Sequence, residues 1–166
     1  MTAVESLGLK AADEGNIVAT VTEFDAHDTA SNKICGRVSL TIDLRSIDQS
    51  YRDQIEDEML DTIRSIATER DLTIELEPYY RQDPVPLAAW VIDSLAEHAA
   101  AIDTSFERLP SGGGHDGRHL QSVGIPSGML FVPSINGVSH SPDEETVDEA
   151  VVDAAAVFAR AILTGL

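Results

Sequence analysis

Residues 111–142 read SGGGHDGRHLQSVGIPSGMLFVPSINGVSHSP, and they combine glycine, serine and histidine around a short apolar run. Three of the five histidines of the chain lie in this stretch. Loops of this composition, when a rigid strand holds them, are where binding and catalytic groups tend to be found. We therefore expect this stretch to carry the functional site and the remainder of the chain to present it.

His140 follows the apolar run Met129–Val132 and lies within the sequence Gly-Val-Ser-His-Ser-Pro. The run predicts a buried strand, and a neutral imidazole at the end of such a strand is a suitable metal ligand. A metal site requires three or four ligands, so one histidine does not establish it. On its residues alone, His140 is either a metal ligand or an ordinary loop or helix-capping histidine.

His115 follows three glycines and precedes Asp116. Glycines allow backbone conformations that other residues avoid, and they let a ligand approach closely. An imidazole held beside such a loop can donate a hydrogen bond to an oxyanion that develops during a reaction. The alternative is a surface loop that carries an incidental histidine.

Two helical patterns flank this stretch. An alanine-rich helix is predicted over Leu87–Ile102, and Pro86 is suited to its first position. The order helix, loop, strand, loop, helix predicts an α/β fragment. A closing helix is predicted over Val147–Leu163. We expect its apolar stripe to face inward, and this stripe consists of Val147, Val151, Ala155, Phe158 and Ile162.

The first half of the chain has a different pattern. Ile17–Phe24 and Gly36–Arg45 alternate between apolar and polar residues, which predicts half-buried antiparallel strands. A helix whose first residues resemble a capping box is predicted over Ser50–Arg70, and the alternating segment Asp71–Pro78 follows it. The order strand, strand, helix, strand favours a small α+β layer with helices on one face of an antiparallel sheet.

Arg45 closes the second alternating segment, and Asn32 lies thirteen residues before it. A guanidinium binds a carboxylate through two parallel hydrogen bonds, so an arginine that faces a cleft would suit an acidic substrate. The alternative for Arg45 is a surface ion pair with Asp43 or Asp48.

The chain is strongly acidic: 29 Asp and Glu residues against 11 Lys and Arg residues give a formal charge of −18. Such a surface repels nucleic-acid backbones and anionic membranes, so we expect neither as a partner. About 1 M salt shortens the screening length to about 3 Å, which relieves self-repulsion. The preferred interpretation is adaptation to high salt, and the alternative is an ordinary acidic protein.

Cys35 is the single cysteine, which excludes an intrachain disulfide. Met1–Lys10 lacks the basic start and the long apolar run of a signal peptide. No window holds 18 consecutive apolar residues. These observations lead us to expect a cytoplasmic protein.

Three segments resemble one known family. LPSGGGHDGRHL (residues 109–120) and IPSGMLFVPSINGVSHSPDE (residues 125–144) resemble the C-terminal part of the N-carbamoyl-L-amino-acid amidohydrolases. Allantoate amidohydrolases and β-ureidopropionases share this pattern, and all belong to the metal-dependent aminoacylase/carboxypeptidase-type peptidases. ASNKICGRVSLTIDLRS (residues 30–46) resembles part of the inserted lid, or dimerisation, domain of that family. The resemblance covers most of residues 17–163.

The resemblance implies roles for both histidines. It implies that His140 is the C-terminal ligand of a two-metal site for zinc, manganese or a similar divalent ion. It implies that His115, with Asp116 beside it, stabilises the tetrahedral oxyanion. In the family a metal-activated water hydrolyses a carbamoyl or amidino C–N bond, with a glutamate as the general base.

The resemblance also implies which residues contact the substrate, a small N-carbamoyl or ureido acid. Asn32 and Arg45 match lid residues that bind its carboxylate. Gly137 and Ser139 fall in the loop that lines the substrate pocket.

The domain organisation follows from the same resemblance. Residues 1–82 are expected to form the lid, with a four-stranded antiparallel sheet and two helices, and residues 83–166 the C-terminal segment of the catalytic domain. Lids of this family pair through edge strands, and an unpaired edge is a template for pairing, so we expect a homodimer.

The other metal ligands and the general base of the family find no match in this sequence. We therefore expect the polypeptide by itself to bind no metal tightly and to be inactive. It would be a truncated hydrolase, a non-catalytic dimerisation or binding module, or one subunit of a split hydrolase whose separate N-terminal catalytic half is another polypeptide.

The acidic composition leads to a first test. We expect the melting temperature to rise between about 0.1 M and about 2 M KCl, because screening weakens repulsion among carboxylates. Each gain of about 1 kcal/mol in the free energy of unfolding would raise the melting temperature by about 2–4 °C. Circular dichroism melts measure this change, with sucrose as an uncharged control. A melting temperature that stays constant or falls with KCl would contradict adaptation to high salt.

Overall fold

The computed structural model describes residues 2–14, 17–78 and 80–165. The chain divides into two compact units, Met1–Pro84 and Val85–Leu166. The sequence placed a boundary between residues 82 and 83; the assignment of the two parts as lid and catalytic segment stays a prediction.

The described part of the first unit has two helices on a two-stranded ribbon. Its strands pair in antiparallel register from Ile17 opposite Ser46 to His27 opposite Arg37. Both strands alternate between apolar and polar side chains along most of their length, which suits a ribbon covered on one face. The elements in chain order are α1 (Thr2–Glu14), β1 (Ile17–His27), β2 (Arg37–Ser46) and α2 (Gln49–Glu69).

The core of the first unit forms where both helices meet the ribbon. Ile55 and Met59 lie one helical turn apart on α2 and are each 4% exposed, as the helical period of the sequence predicts. Ile42 and Leu44 of β2 pack against this cluster from the ribbon. The remaining buried members come from α1 and β1, and they are Val4, Ala11 and Ile17.

The predicted capping box at the start of α2 is wrong by two residues. Asp48 is the N-cap, and its Oδ1 accepts hydrogen bonds from the Tyr51 amide at 3.0 Å and from the Ser50 hydroxyl at 2.7 Å. The Ser50 hydroxyl, and after it the Tyr51 amide, lowers the pKa of the Asp48 carboxyl. Asp fits this position because its side chain satisfies an amide that the helix leaves unpaired.

The predicted four-stranded sheet is wrong, because the described residues form one sheet of two strands, β1 and β2. The alternating segment Asp71–Pro78 is not a strand in the structure. Alternation expresses a local preference for extended backbone, whereas a strand also needs a neighbour to complete its hydrogen bonds. Within the described chain this segment has no such neighbour.

The described part of the second unit is helical, and the strand predicted at Met129–Val132 is likewise not formed. None of the described helices is both long enough and apolar enough to cross a membrane. The elements in chain order are α3 (Ala89–Ala100), α4 (Asp116–Ser122), the 3-10 helix Ile135–Gly137 and α5 (Asp148–Thr164).

Helix α5 packs on α3 through a face that the sequence did not predict. Val157, 1% exposed, and Ala161, 5% exposed, join Val91, Leu95 and Ala99 of α3 in the core of the second unit. Small side chains at such a contact let two helices approach closely. The stripe that we expected to face inward is exposed instead, along its whole length: Val147, Val151, Ala155, Phe158 and Ile162.

The exposed stripe of α5 lines one side of an apolar groove of about 500 Å³. Leu130 and Val132, in the apolar run Met129–Val132, line the other side. That run is held against α3 by a close backbone approach at Gly128. A Cβ at this position would lie 2.6 Å from Cγ1 of Val91, so glycine is required there. One residue earlier, the Ser127 carbonyl accepts the Ala88 amide at 2.9 Å.

Arg52 is the buried charged residue of the first unit, and it is 6% exposed. Its guanidinium donates to the Gln82 carbonyl at 2.5 Å and to the carboxylates of Asp53 and Asp83 at 2.9 and 3.0 Å. It thus ties the first turn of α2 to the segment that ends the unit. Arg52 lies at helical spacing from Ile55 and Met59, so it shares the buried face of α2, which the sequence did not predict.

Removal of this guanidinium should destabilise the protein. We expect Arg52→Ala to lower the free energy of unfolding by about 1.5–3 kcal/mol, the range for hydrogen bonds that involve charged groups. The loss stays moderate because water can reach Asp83, whose side chain is 57% exposed, and because Asp53 keeps its ion pair with Arg81. Urea unfolding followed by circular dichroism measures the change.

Arg64 provides the matched control. It forms an exposed ion pair with Asp61 on the same helix at 2.9 Å. Such pairs contribute about 0–1 kcal/mol, so Arg64→Ala should cost less than about 1 kcal/mol. Equal losses from the two substitutions would show that the Arg52 contacts do not stabilise the unit specifically.

Candidate functional site

His115 is the N-cap residue of α4, with extended backbone angles φ −133° and ψ 156°. Its carbonyl accepts the Arg118 amide at 3.1 Å, which fixes its backbone to the first turn of the helix. Its ring meets the ring of Phe131 edge to face, with 5.7 Å between the centroids and 70° between the planes. The residue itself remains exposed, so Phe131 orients the imidazole without covering it.

The glycines before His115 leave room for its ring. A Cβ at Gly113 would lie 3.4 Å from Nε2 of His115, so the imidazole folds back towards that residue. Asp116 is the first residue of α4 and is exposed. A negative charge in this position is favourable at a helix start, which gives Asp116 a structural reason besides its predicted role.

The loop between the apolar run and α5 is held together by hydrogen bonds across it. The Ile135 amide donates to the Glu145 carbonyl at 2.7 Å, and the Thr146 hydroxyl donates to the Pro133 carbonyl at 2.5 Å. The Ser134 hydroxyl donates to the Val138 carbonyl within the same loop. These bonds join the beginning and the end of the loop.

His140 lies at the far side of this loop in a left-handed backbone conformation, with φ 54°. Its amide donates to Oε2 of Glu144 at 3.0 Å, and the Glu144 amide donates to the Ser141 carbonyl at 3.1 Å. The backbone of His140 is therefore fixed while the residue is exposed. The two pocket residues predicted near it, Gly137 and Ser139, are exposed in the same loop.

A metal site is not complete within the described part of the chain. Residues 2–14, 17–78 and 80–165 contain no group of three or more His, Cys, Asp or Glu side chains arranged to hold a metal ion. Zinc and manganese require at least three protein ligands in a stable site. His140 can supply one imidazole, so these residues do not fit a resident metal by themselves, and we assign no step to one.

The two residues predicted to bind a carboxylate, Asn32 and Arg45, lie towards opposite ends of the ribbon. Asn32 lies in the turn between Ala30 and Lys33, beyond the end of the ribbon where His27 pairs with Arg37. Arg45 pairs with Val18 near the opposite end. With strand residues about 3.3 Å apart, the two side chains lie on the order of 25 Å from each other along the ribbon. One copy therefore does not bring them together.

Arg45 forms the surface ion pair that we considered as an alternative. Its Nε donates to both carboxylate oxygens of Asp43, at 2.9 and 2.8 Å, and its Nη2 lies 2.6 Å from Oδ2. The hydrogen bond and the negative charge of Asp43 raise the pKa of Arg45. Because the Arg45 side chain is 53% exposed, a carboxylate from solution can reach it and compete with Asp43.

Sequence reasoning did not identify two residues that position the histidines. Phe131 contacts His115, and Glu144 binds the amide of His140. The sequence does contain a signal for Glu144. Its carboxylate stands four residues after His140, and across the Ser-Pro turn between them such a side chain can reach back to the His140 amide. Phe131 carried no such signal, because it was counted within a predicted strand.

His27, His98 and Cys35, to which the sequence assigns no role, have ordinary contacts. Nε2 of His27 lies 2.9 Å from the Ser39 hydroxyl, and Nε2 of His98 lies 3.3 Å from the Gly165 carbonyl. The thiol of Cys35 donates to the Arg37 carbonyl at 2.9 Å. These contacts give no reason to assign a chemical role.

Comparison with known proteins gives a consistent family. Residues 5–164 match the model described as peptidase family M20/M25/M40. An allantoate amidohydrolase of Bacillus subtilis is 36% identical over 129 residues, which cover 76% of this chain and 31% of that protein. An N-carbamoyl-L-amino acid amidohydrolase of Geobacillus stearothermophilus is 35% identical over 136 residues, which cover 81% of this chain and 33% of that protein.

A solved structure agrees with these relatives. An amidase of the hydantoinase/carbamoylase family from Burkholderia vietnamiensis superposes with a TM-score of 0.88 and 29% identity. The match covers 98% of this chain and 39% of that one. The chain thus spans about a third of the length of the curated relatives that it matches.

The contribution of the left-handed backbone conformation of Gly137, in the loop before His140, can be tested by substitution. This residue has φ +67°, and no atom lies within 4 Å of a Cβ placed there. Gly137→Ala should therefore cost about 1 kcal/mol of unfolding free energy through backbone strain alone. Hydrogen exchange of residues 134–146 should accelerate at the same time.

Gly114 is the matched control, since a Cβ there also meets nothing within 4 Å and its φ is not positive. Gly114→Ala should leave both stability and exchange unchanged. If the two variants behaved alike, the left-handed conformation at Gly137 would not contribute to the order of the loop.

Proposed function

Because the chain belongs to peptidase family M20/M25/M40, we propose that it forms part of a hydrolase that cleaves the carbamoyl or ureido C–N bond of a small acid. The names of its relatives, allantoate amidohydrolase and N-carbamoyl-L-amino acid amidohydrolase, support this reaction class. The observation that carries the proposal is the presentation of two exposed histidines by fixed backbone in one compact unit, His115 against Phe131 and His140 against Glu144.

His115 is the proposed oxyanion donor. Attack on a carbamoyl carbon moves negative charge onto its oxygen, and a positioned N–H that meets this oxygen stabilises the transition state. The edge-to-face contact with Phe131 limits rotation of the His115 ring. The ring therefore loses little rotational entropy when the substrate binds. Asp116, the first residue of α4, is proposed to act beside it in the same site.

His140 is proposed as one ligand of a divalent zinc or manganese ion. Such an ion, when bound, activates water for hydrolysis. The other ligands and the general base belong, in this proposal, to a separate polypeptide that supplies the remaining catalytic half. This division is consistent with the absence of a three-ligand group from the described residues.

Arg45 and Asn32 are the proposed contacts of the substrate carboxylate. A guanidinium suits a carboxylate because two N–H groups match its two oxygens. Because one ribbon holds these residues far apart, both can contact one substrate only if they come from different copies of a homodimer. Gly137 and Ser139 are proposed to line the pocket beside the carbamoyl group.

A second candidate is a non-catalytic dimerisation or binding module. The favouring observation is that the described residues contain no group of three or more potential metal ligands, while the side chain of Arg45 is 53% exposed. Such a module would bind a ureido acid through Arg45 without hydrolysing it. Activity in the presence of a companion polypeptide distinguishes the two candidates.

Co-expression tests the proposal. The companion consists of the two thirds of the Geobacillus stearothermophilus relative that this chain does not match. We expect the chain alone to retain little zinc or manganese and to release no ammonia from N-carbamoyl-L-amino acids. The purified pair should hold metal and convert substrate and water into amino acid, ammonia and carbon dioxide.

Single substitutions in the pair test the individual roles. His115→Gln should lower kcat by about 10²–10³ and leave the metal content unchanged, as for the loss of one oxyanion donor. His140→Ala should remove metal and activity together. His119→Gln is the control, because His119 is exposed on α4 and has no assigned role.

Two results would count against the proposal. Stoichiometric metal and full turnover by the chain alone would remove the need for a second polypeptide. Binding of a ureido acid by a pair that never turns over would favour the binding module instead.

A further inference from the structure

Asn136 and Gly137 form an asparagine–glycine pair in the exposed loop before His140. In such a pair the glycine amide nitrogen can attack the carbonyl carbon of the asparagine side chain, because glycine has no side chain that hinders the approach. The other two asparagines of the chain, Asn16 and Asn32, precede larger residues. The sequence therefore concentrates this reactivity at one position.

The reaction needs water and no other reactant. The Gly137 nitrogen forms a bond to Cγ of Asn136, the bond from Cγ to Nδ2 breaks, and the displaced Nδ2 leaves as ammonia with the proton of the Gly137 amide. The product is a five-membered cyclic imide. Water then opens this ring at one of its two carbonyl carbons. One opening gives aspartate, and the other gives isoaspartate, in which the backbone runs through the side chain and is one carbon longer.

The backbone conformation of Asn136 keeps the two reacting atoms apart. Its angles are φ 58° and ψ 16°, in the left-handed region. At this ψ the Gly137 nitrogen is nearly eclipsed with the Asn136 nitrogen, and it is therefore turned away from Cβ, which lies on another side of the tetrahedral Cα. Ring closure requires a large rotation about ψ. Asparagine adopts the left-handed region more readily than most residues, so it can remain in this unreactive conformation.

The hydrogen bonds of residues 134–138, which we call the Asn136 turn, oppose this rotation. The Gly137 amide donates to the Ser134 carbonyl at 3.1 Å, and the Val138 amide donates to the Ile135 carbonyl at 3.3 Å. The Ser134 hydroxyl donates to the Val138 carbonyl. Because rotation about ψ of Asn136 moves the Gly137 amide, the bond to Ser134 must break before the nitrogen can reach Cγ.

Little besides these bonds holds the Asn136 turn closed. Ile135, Asn136 and Gly137 are all exposed. No atom lies within 4 Å of a Cβ placed at Gly137, so its surroundings are open. Short 3-10 turns have poor hydrogen-bond geometry, and exposed segments with few apolar contacts open more easily than the core. The turn can therefore open while the unit stays folded.

We infer that Asn136 is a site of spontaneous deamidation and that opening of the Asn136 turn sets the rate of this modification. The product adds a negative charge to the loop that holds His140. As isoaspartate it also adds a backbone carbon, which displaces the Gly137 amide from the Ser134 carbonyl. The inference stands independently of the proposed function, because it uses only the sequence and the backbone of this loop.

Incubation of the full chain in buffer and in urea tests the inference. Proteolysis and mass spectrometry then measure the conversion of amide to acid in the peptide that contains Asn136. We expect conversion in urea to be about tenfold or more faster than in buffer, because unfolding removes the protection of the turn. The peptide that contains Asn32 is the internal control and should remain an amide in both samples over the same period.

A substitution that loosens the turn without changing the reactive pair gives a sharper test. Ser134→Ala removes the hydroxyl that bonds to the Val138 carbonyl. We expect conversion of Asn136 in buffer to become about threefold to tenfold faster, the factor that corresponds to the loss of one hydrogen bond. Conversion in urea should stay unchanged, because the turn is absent there.

Ser111→Ala is the matched control, because the Ser111 hydroxyl also donates to a carbonyl of its own loop, that of Gly113 at 3.1 Å. This variant should convert at the rate of the original chain. Thr146→Val is a second variant of the loop before His140, since it removes the hydroxyl that bonds to the Pro133 carbonyl. It should accelerate conversion in buffer as Ser134→Ala does.

Three results would each overturn the inference. Conversion of Asn136 in urea as slow as that of Asn32 would show that the pair is not reactive. Equal rates in buffer and in urea would show that the turn gives no protection. Rates in Ser134→Ala and Thr146→Val that do not exceed the rate in Ser111→Ala would show that opening of the turn does not control the reaction.

Discussion

The hydrogen-bonded ladder between β1 and β2 is the interaction on which the first unit depends. It holds Ile42 and Leu44 in a row that α2 can cover, and it fixes the direction in which α2 leaves the ribbon. The same ladder places Arg45 and the Asn32 turn at opposite ends. Within the described residues this ladder is a sheet of two strands.

In the second unit, the backbone of two histidines is fixed while their side chains stay exposed. Backbone groups do most of this: His115 is held through its carbonyl and His140 through its amide. Gly128 lets the apolar run lie directly on α3, and this run carries Phe131 to the ring of His115. The arrangement leaves both imidazoles accessible, which suits groups that act on a ligand from outside the unit.

Local features of the fold could be predicted from the sequence, whereas pairing could not. The helical period located α2 and its buried residues Ile55 and Met59, and alternation located β1 and β2. Alternation failed at residues 72–78 because it cannot indicate whether a neighbouring strand exists. The prediction of which α5 face is buried was wrong for a related reason. Val157 and Ala161 are apolar, and so are Val151 and Phe158 on the other face. Only the position of α3 determines which face is buried.

For the candidate site, the sequence predicted the two histidines but not the residues that contact them. The motif indicated His115 and His140 because unusual residue types stand in unusual loops, and the structure places both on fixed, exposed backbone. The residues that position them, Phe131 and Glu144, are ordinary in type and were missed. The site roles of Asn32, Arg45, Gly137 and Ser139 stay predictions, since distance along the ribbon argues only against joint action of the first two in one copy.

The strong negative charge connects these features. The exposed apolar stripe on α5 favours association with other chains. A charge of −18 opposes this association between copies, and salt screens that opposition. High salt should therefore stabilise each unit and also favour contact between the exposed apolar stripes of different copies. Folding and self-association are then both favoured by the same conditions.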